Sequence, residues 1–193
     1  MDSPRTEEAD SDATLLDRAR SGDAEAFRQI VLRHEDAVAA TVVGMLGPGG
    51  EAEDVGQETF VRLYRSMGRF RGDAALRTYL VRIAMNLSLN ALKRRKRASR
   101  RFLRLEDGGR EIPSEAEAPD QSAERRDRVR AVRAAIDRLD EKHRAVVTLR
   151  LIEGMSTRET ARALGLPEGT VLSRLARGRQ KLEKELEEWM NDD

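Results

Sequence analysis

The chain contains no cysteine, which excludes disulfides and thiolate metal ligands and fits a reducing compartment. Aromatics make up only 4% of its 193 residues, and no run of alternating β-branched residues occurs, so no sheet is expected. No apolar run approaches the roughly 20 residues that a membrane helix needs. The acidic N-terminus is also unlike a signal peptide, and a soluble, cytoplasmic protein without membrane insertion is expected. There is no Gly-rich phosphate loop, and His34 and His143 stand in no metal-ligand pattern. Both histidines read as surface or helix-packing residues, and Trp189 as a terminal helix contact. Nothing here points to catalysis, and neither a metal nor a cofactor is expected. An excess of one charge is missing too: 36 basic residues face 35 acidic ones, so net charge announces no nucleic-acid partner.

What is present is helical periodicity and an uneven distribution of charge. Lys93, Arg94, Arg95, Lys96, Arg97, Arg100, Arg101 and Arg104 run without an acid between them. From Glu106 to Glu124 the chain is acidic, with Arg110 as its single base and with Pro113 and Pro119 inside it. The first block can bind phosphates, and the second stays extended through self-repulsion and low hydrophobicity. The reading is therefore all-α, two small helical domains joined by a flexible acidic linker. Residues 1–11 form a disordered N-terminus, 12–100 the first domain, 101–124 the linker and 125–190 the second domain.

Within the first domain, a short helix is expected after Ser11 or Asp12 and a break at Gly22. A second helix from near Asp23 turns Phe27, Ile30, Val31, Val38 and Val42 inward and ends at the GPGG stretch of residues 47–50. A third spans about 52–67 and a fourth about 74–97. In the second domain, Val129, Val132, Ile136 and Leu139 form one apolar stripe and Val146, Leu149 and Ile152 another.

The stretch MSTRETARALGLPEGTVLSRLARGRQK, residues 155–181, writes two short helices around a tight turn. Ser156 and Glu159 have the spacing of a capping box, in which each side chain satisfies the other's orphan N–H. Gly165, Pro167 and Gly169 then break the chain. At about 100° per residue, Val171, Leu175, Gly178 and Leu182 fall on one stripe that must face a core. Thr170, Ser173, Ala176 and Arg177 project from the other side, flanked by Arg174 and Lys181. A forked guanidinium among hydroxyls and small residues suits the major groove, where arginine reads guanine and small side chains let a helix approach.

Two further faces carry chemistry. On the fourth helix, Leu76, Leu80, Ile83, Leu87 and Ala91 form the core stripe, whereas Tyr79, Arg82, Asn86 and Lys93 line a different face. A ring that can stack on an unpaired base, an amide that can read a base edge and cations for the backbone suit a single strand or a fork junction. On the third helix Phe60, Leu63 and Met67 turn inward, and Asp54, Gln57, Glu58, Val61 and Arg65 turn outward as a small docking patch.

In order and content these pieces resemble the bacterial sigma-70 family, specifically its extracytoplasmic-function (group IV) RNA polymerase sigma factors, over nearly everything from Leu15 to Leu186. DVGQETFVRLYRSMGRFRGDAALRTYLVRIAMNLSLNALKRRKR resembles the family's region 2, and LDEKHRAVVTLRLIEGMSTRETARALGLPEGTVLSRLARGRQKL its region 4. The resemblance implies an alternative sigma factor, a non-catalytic specificity subunit that binds core RNA polymerase, recognises promoter DNA and promotes promoter opening. It implies that Asp54, Gln57, Glu58 and Val61 contact the polymerase clamp helices. It places Arg71, Asp73, Tyr79, Arg82, Asn86 and Lys93 on the minus-10 element, with the loop from Arg69 to Ala75 capturing an extruded base. Thr170, Ser173, Arg174, Arg177, Arg179 and Lys181 would bind the minus-35 element. The acidic linker would run through polymerase toward the RNA exit path, and an anti-sigma factor is an expected partner. Leu172 stands where relatives often have a basic residue, Ala176 where they often have a larger ring, and Tyr79 where many have tryptophan. Gly56, inside the clamp-contacting helix, costs roughly 1 kcal/mol of helix propensity relative to alanine.

The chief rival is a two-domain helix-turn-helix regulator that binds duplex DNA without polymerase. It accounts equally for the C-terminal half, but leaves the docking patch, the Tyr79 face and the basic block without a use.

Overall fold

The computed structural model describes residues 10–72, 74–102 and 123–191, all of whose regular structure is helical. The expected disordered N-terminus through residue 9, nearly all of the acidic linker, and Asp73 lie outside the described residues.

The helix starts are written in single polar residues. Ser11 Oγ accepts the Thr14 N–H at 3.2 Å and opens α1 (Asp12–Arg20), and Asp23 caps α2 (Ala24–Leu46) by accepting from Glu25 and Ala26 at 3.0 and 3.1 Å. Between them Gly22 takes a φ of 95°, a conformation that suits glycine and turns the chain back on itself. After α3 (Gly50–Ser66) a 3-10 turn (Met67–Arg69) leads into an irregular loop and then α4 (Leu76–Phe102).

The first core lies among α2, α3 and α4. Leu80, Val81, Ala84, Met85, Leu87, Ser88 and Ala91 are all buried, so the covered surface of α4 is wider than the single stripe predicted from periodicity. The reason is that α4 is packed by α2 and α3 and also by α7 from the other half of the chain. Three buried hydroxyls of this core are satisfied within their own helices: Thr41, Thr59 and Ser88 each donate to the carbonyl four residues back at 2.8 Å.

The C-terminal half comprises α5 (Ala123–Arg138), α6 (Glu141–Val147) continued by a π-helical turn (Thr148–Ile152), α7 (Thr157–Leu164) and α8 (Glu168–Asn191). The apolar stripe expected on α5 is only half correct. Leu139 is buried and Ile136 half-buried, but Val129 and Val132 are exposed, because the helix is covered only toward its C-terminal end. Ile152 is likewise exposed although Val146 and Leu149 are buried.

The two halves also meet directly. Ala145, Leu149, Met155 and Ala163 share one apolar cluster with the residues of α1 through α4. Gly44 makes this approach possible: a Cβ there would lie 2.7 Å from Thr148 Cγ2. The Thr148 hydroxyl donates to the Gly44 carbonyl at 3.3 Å, and Arg144 donates to the Met45 carbonyl at 2.9 Å. Lys96 of α4 pairs with Glu141 of α6 at 2.8 Å, and Arg77 pairs with Glu153.

Candidate nucleic-acid interface

The helix-turn-helix is built as its local chemistry dictates. Ser156 Oγ accepts from the Glu159 N–H at 3.2 Å while Glu159 accepts from the Ser156 N–H at 2.8 Å. The Ser156 hydroxyl also donates to this carboxylate at 2.6 Å and, with the Ser156 N–H, holds it below its usual range. Gly165 closes α7 in the left-handed conformation, φ 63° and ψ 38°, and its N–H reaches the Ala161 carbonyl. Pro167 precedes α8, and its carbonyl accepts from Thr170 and Val171 at 3.0 and 3.2 Å. Gly169 departs from the expected break: it lies in the first turn of α8 without a positive φ, so Gly165 supplies the turn and Gly169 does not.

Val171 and Gly178 are buried, and Leu175 and Leu182 half-buried, which seats α8 on α6. Gly178 has no room to spare, since a Cβ there would stand 2.8 Å from Val147 Cγ2. The opposite face carries Ser173, Ala176, Arg177 and Arg179 exposed, with Thr170 and Arg174 half-buried beside them. Ser173 Oγ donates to the Thr170 carbonyl at 3.1 Å, and Leu172 is exposed on the same side. Lys181 is not free: its Nζ pairs with Asp140 at 3.0 Å. Asp140 also caps α6 and meets His143 Nδ1 at 2.7 Å. Burial acts to raise the Asp140 carboxyl, but the bonds from Lys181 and His143 outweigh it and hold the group far below the ordinary carboxylate range.

On α4, Arg82, Asn86 and Lys93 are exposed along one face, and Arg71 is exposed in the loop before it. Tyr79 is half-buried, and part of its ring is already in use. Phe70 lies 4.8 Å away between centroids, the Arg82 guanidinium sits 5.3 Å over the ring, and the Tyr79 hydroxyl meets Ser66 Oγ at 3.1 Å. Beside the loop opens a cleft of about 350 Å³, with Leu16, Asp17 and Arg20 of α1 on one wall and Phe70, Gly72 and Ala74 on the other. The involvement of α1 had no sequence signal, because its partners in this wall lie some 50 residues further along the chain.

The outward face of α3 shows Asp54, Gln57 and Val61 exposed, and Glu58 half-buried and paired with Arg62 at 2.9 Å. Tyr64 extends this patch; it is exposed and meets Phe27 edge-on at 5.1 Å. Gly56 opens onto a groove between α2 and α3 lined by Val31, Val38, Ala52 and Phe60, and nothing lies within 4 Å of where its Cβ would be. Part of the basic block on α4 is engaged, Arg94 and Arg95 with Glu51 and Lys96 with Glu141. Lys93 and Arg97 meet no acid among the described residues. Both histidines are buried packing residues: His34 Nε2 lies 3.1 Å from each Asp12 carboxylate oxygen and ties α2 to α1. No helix among the described residues is long and apolar enough to cross a membrane.

Comparison with known proteins returns the same two segments. The profile of Sigma-70 region 2 matches residues 30–98, and that of Sigma-70, region 4 matches residues 129–182. RNA polymerase sigma-H factor of Pseudomonas aeruginosa is 34% identical over 92% of this chain and 95% of its own length. ECF RNA polymerase sigma-E factor of Salmonella typhimurium is 33% identical over 92% and 95% of the two chains. The solved structure of CnrH in complex with the cytosolic domain of CnrY superposes with a TM-score of 0.66 at 31% identity, covering 92% of this chain and 98% of that one.

Proposed function

The chain belongs to the extracytoplasmic-function branch of the sigma-70 family, whose members are non-catalytic specificity subunits of RNA polymerase, and on that premise we propose how its surfaces divide the work of promoter recognition. The outer face of α8 binds the minus-35 element. Ser173 and Arg177 face base edges, and Thr170, Arg174, Arg179 and Lys181 serve the backbone. Lys181 must exchange Asp140 for a phosphate to do so. Ala176 leaves space for close approach, and Leu172 offers an apolar contact instead of a charge.

The face of α4 binds the minus-10 element as its strands separate. Tyr79 offers a ring for stacking, Arg82 and Asn86 edge and backbone contacts, and Lys93 and Arg71 phosphate contacts. A base stacking on Tyr79 displaces Arg82 from the ring. The cleft between α1 and residues 70–72 and 74–76 receives an extruded base, whose unstacking costs a few kcal/mol and is offset by contacts inside. Asp73 belongs to this loop and shares the assignment by resemblance alone. The observation that carries the reading is that Tyr79, Arg82 and Asn86 share one face of α4 and that the Tyr79 ring packs on Phe70, which also lines the cleft.

Asp54, Gln57, Glu58 and Val61, extended by Tyr64, dock on the polymerase clamp helices. The protein works in the cytoplasm, where polymerase is, and an anti-sigma factor holds it when idle; the relative CnrH, solved in complex with the cytosolic domain of CnrY, supports that partner class. The decisive experiment is run-off transcription on genomic fragments, paired with gel shifts with and without core enzyme. Initiation that requires both core polymerase and this chain is the expected result. Tight duplex binding by the chain alone, with no initiation, would replace this reading with a free-standing repressor or activator.

A further inference from the structure

Arg20 closes α1 and lines the α1 wall of the cleft, and no role has yet been given to it. Its guanidinium reaches across to the segment that links α3 to α4. Nε and Nη2 donate to the Met67 carbonyl at 3.0 and 2.9 Å, Nη2 donates to the Phe70 carbonyl at 2.6 Å, and Nη1 donates to Asp17 at 2.8 Å. The fork is thus spent on two backbone carbonyls and one carboxylate. It needs a planar guanidinium, because a lysine ammonium is a single point on a flexible stem and cannot span two carbonyls in fixed geometry.

The acceptors sit where the chain most needs holding. The Met67 carbonyl also accepts the Phe70 N–H at 3.2 Å, which closes the 3-10 turn (Met67–Arg69), so Arg20 ties both that turn and the residue after it to α1. Phe70 is extended and Gly72 takes a φ of 76°, so residues 70–72 have no repeating backbone bonds of their own. The Phe70 ring lies against Tyr79, and the Phe70 side of the cleft faces Arg20 itself. Fixing the Phe70 carbonyl therefore sets two things at once, the position of the wall of the cleft and the backing of the Tyr79 ring. The cleft volume of about 350 Å³ falls within the range of small-molecule sites.

We propose that Arg20 is a positioning residue for base capture: it pins residues 67–70 so that the cleft beside α1 stays open for an extruded base and Tyr79 stays presented to the next one. It acts through those residues. The inference rests on the reading that this cleft takes a base, and the test separates the two.

Holoenzyme assembled from core polymerase and the full chain is titrated with a fluorescent single-stranded minus-10 oligonucleotide and with copies made abasic at each position in turn. Wild type is expected to prefer the intact strand over one abasic copy by roughly tenfold or more, the order that a stacked base contributes. Arg20→Ala is expected to bring that ratio to within about twofold of unity. Arg20→Lys, which keeps the charge and the Asp17 pairing, is expected to fall between them, with duplex minus-35 binding and the melting curve nearly unchanged. If Arg20→Ala weakens all oligonucleotides equally and keeps the wild-type ratio, Arg20 is a general tether and the proposal fails while base capture stands. If wild type shows no abasic-sensitive position, base capture and the role of Arg20 fall together. Should Arg20→Ala not fold, the Arg20→Lys ratio decides alone: an unreduced ratio overturns the proposal.

Discussion

Arg77 of α4 donates to the Glu153 carboxylate at 2.6 Å and to the Glu153 carbonyl at 3.2 Å, bridging the two halves of the chain with a carboxylate whose side chain is only 2% exposed. Burial raises the Glu153 carboxyl above its ordinary value, and the Arg77 charge pulls it only part of the way back. A carboxyl raised in this way binds a proton more readily folded than unfolded. Its contribution to stability is therefore fully present below the unfolded value and lost as pH rises through the folded one. Glu153→Gln keeps an acceptor for Arg77 and removes the buried charge, so at neutral pH it is expected to match or exceed wild type in stability and to flatten the profile above pH 4.5. Arg77→Ala leaves the carboxylate buried without its partner and is expected to cost about 1.5 kcal/mol, the lower end for a charged hydrogen bond because Arg77 itself is well solvated. Thermal melts across that pH range decide; a Glu153→Gln variant as unstable as Arg77→Ala would mean that the charge itself is net favourable.

Arg177 and Lys181 lie on the same helix but should report differently. Arg177→Ala is expected to lose about 1–3 kcal/mol at particular minus-35 base pairs and little at others. Lys181→Ala should weaken all sequences alike and lower the salt slope by about one. Asp140→Asn loosens the hold on Lys181 while retaining an acceptor for the α6 cap, so it should strengthen sequence-independent binding. Equilibrium binding to a panel of point-changed minus-35 duplexes at several salt concentrations tests all three, and a uniform loss for Arg177→Ala would recast it as a phosphate contact.

Asp54 and Gln57 are exposed and carry no ion pair among the described residues. Their joint replacement by alanine is expected to change stability by no more than about 0.5 kcal/mol and to lower affinity for core polymerase severalfold. Gly56→Ala meets open space and gains helix propensity, so it should stabilise the fold by up to about 1 kcal/mol. Competition binding to core enzyme alongside melting curves checks both, and unchanged affinity in the double variant would remove α3 from the polymerase contact.

Gly178 and Gly44 mark the two tightest seams. Gly178→Ala puts a methyl against Val147 where α8 crosses α6, and Gly44→Ala puts one against Thr148 between the two halves. Each is expected to cost about 1–3 kcal/mol through overpacking. Gly44→Ala should in addition loosen the contact between the halves, readable as a longer distance between fluorophores on exposed positions of α2 and α8. Full wild-type stability in either variant would show that the neighbouring side chain moves aside freely.

The sequence by itself determined what depends on a single turn of backbone: the all-α class, the helix starts beside Ser11 and Asp23, the cap at Ser156, the break at Gly22, the turn at Gly165 and the outward faces of α3, α4 and α8. Each of these is a matter of local hydrogen bonding or of the 3.6-residue period, and both are legible within a few neighbouring residues. Tertiary structure decided the rest. Val129 and Val132 satisfy the helical period yet stay in solvent, because a period names a face and not the partner that covers it. Lys181 is held by a carboxylate 41 residues away, and Tyr79 shares its ring with Phe70 and Arg82, so two side chains read as free begin engaged. The grip of Arg20 on the Phe70 carbonyl and the packing of Gly44 against Thr148 join residues 50 and 104 positions apart, and no local pattern records which distant atoms a fold will bring within reach.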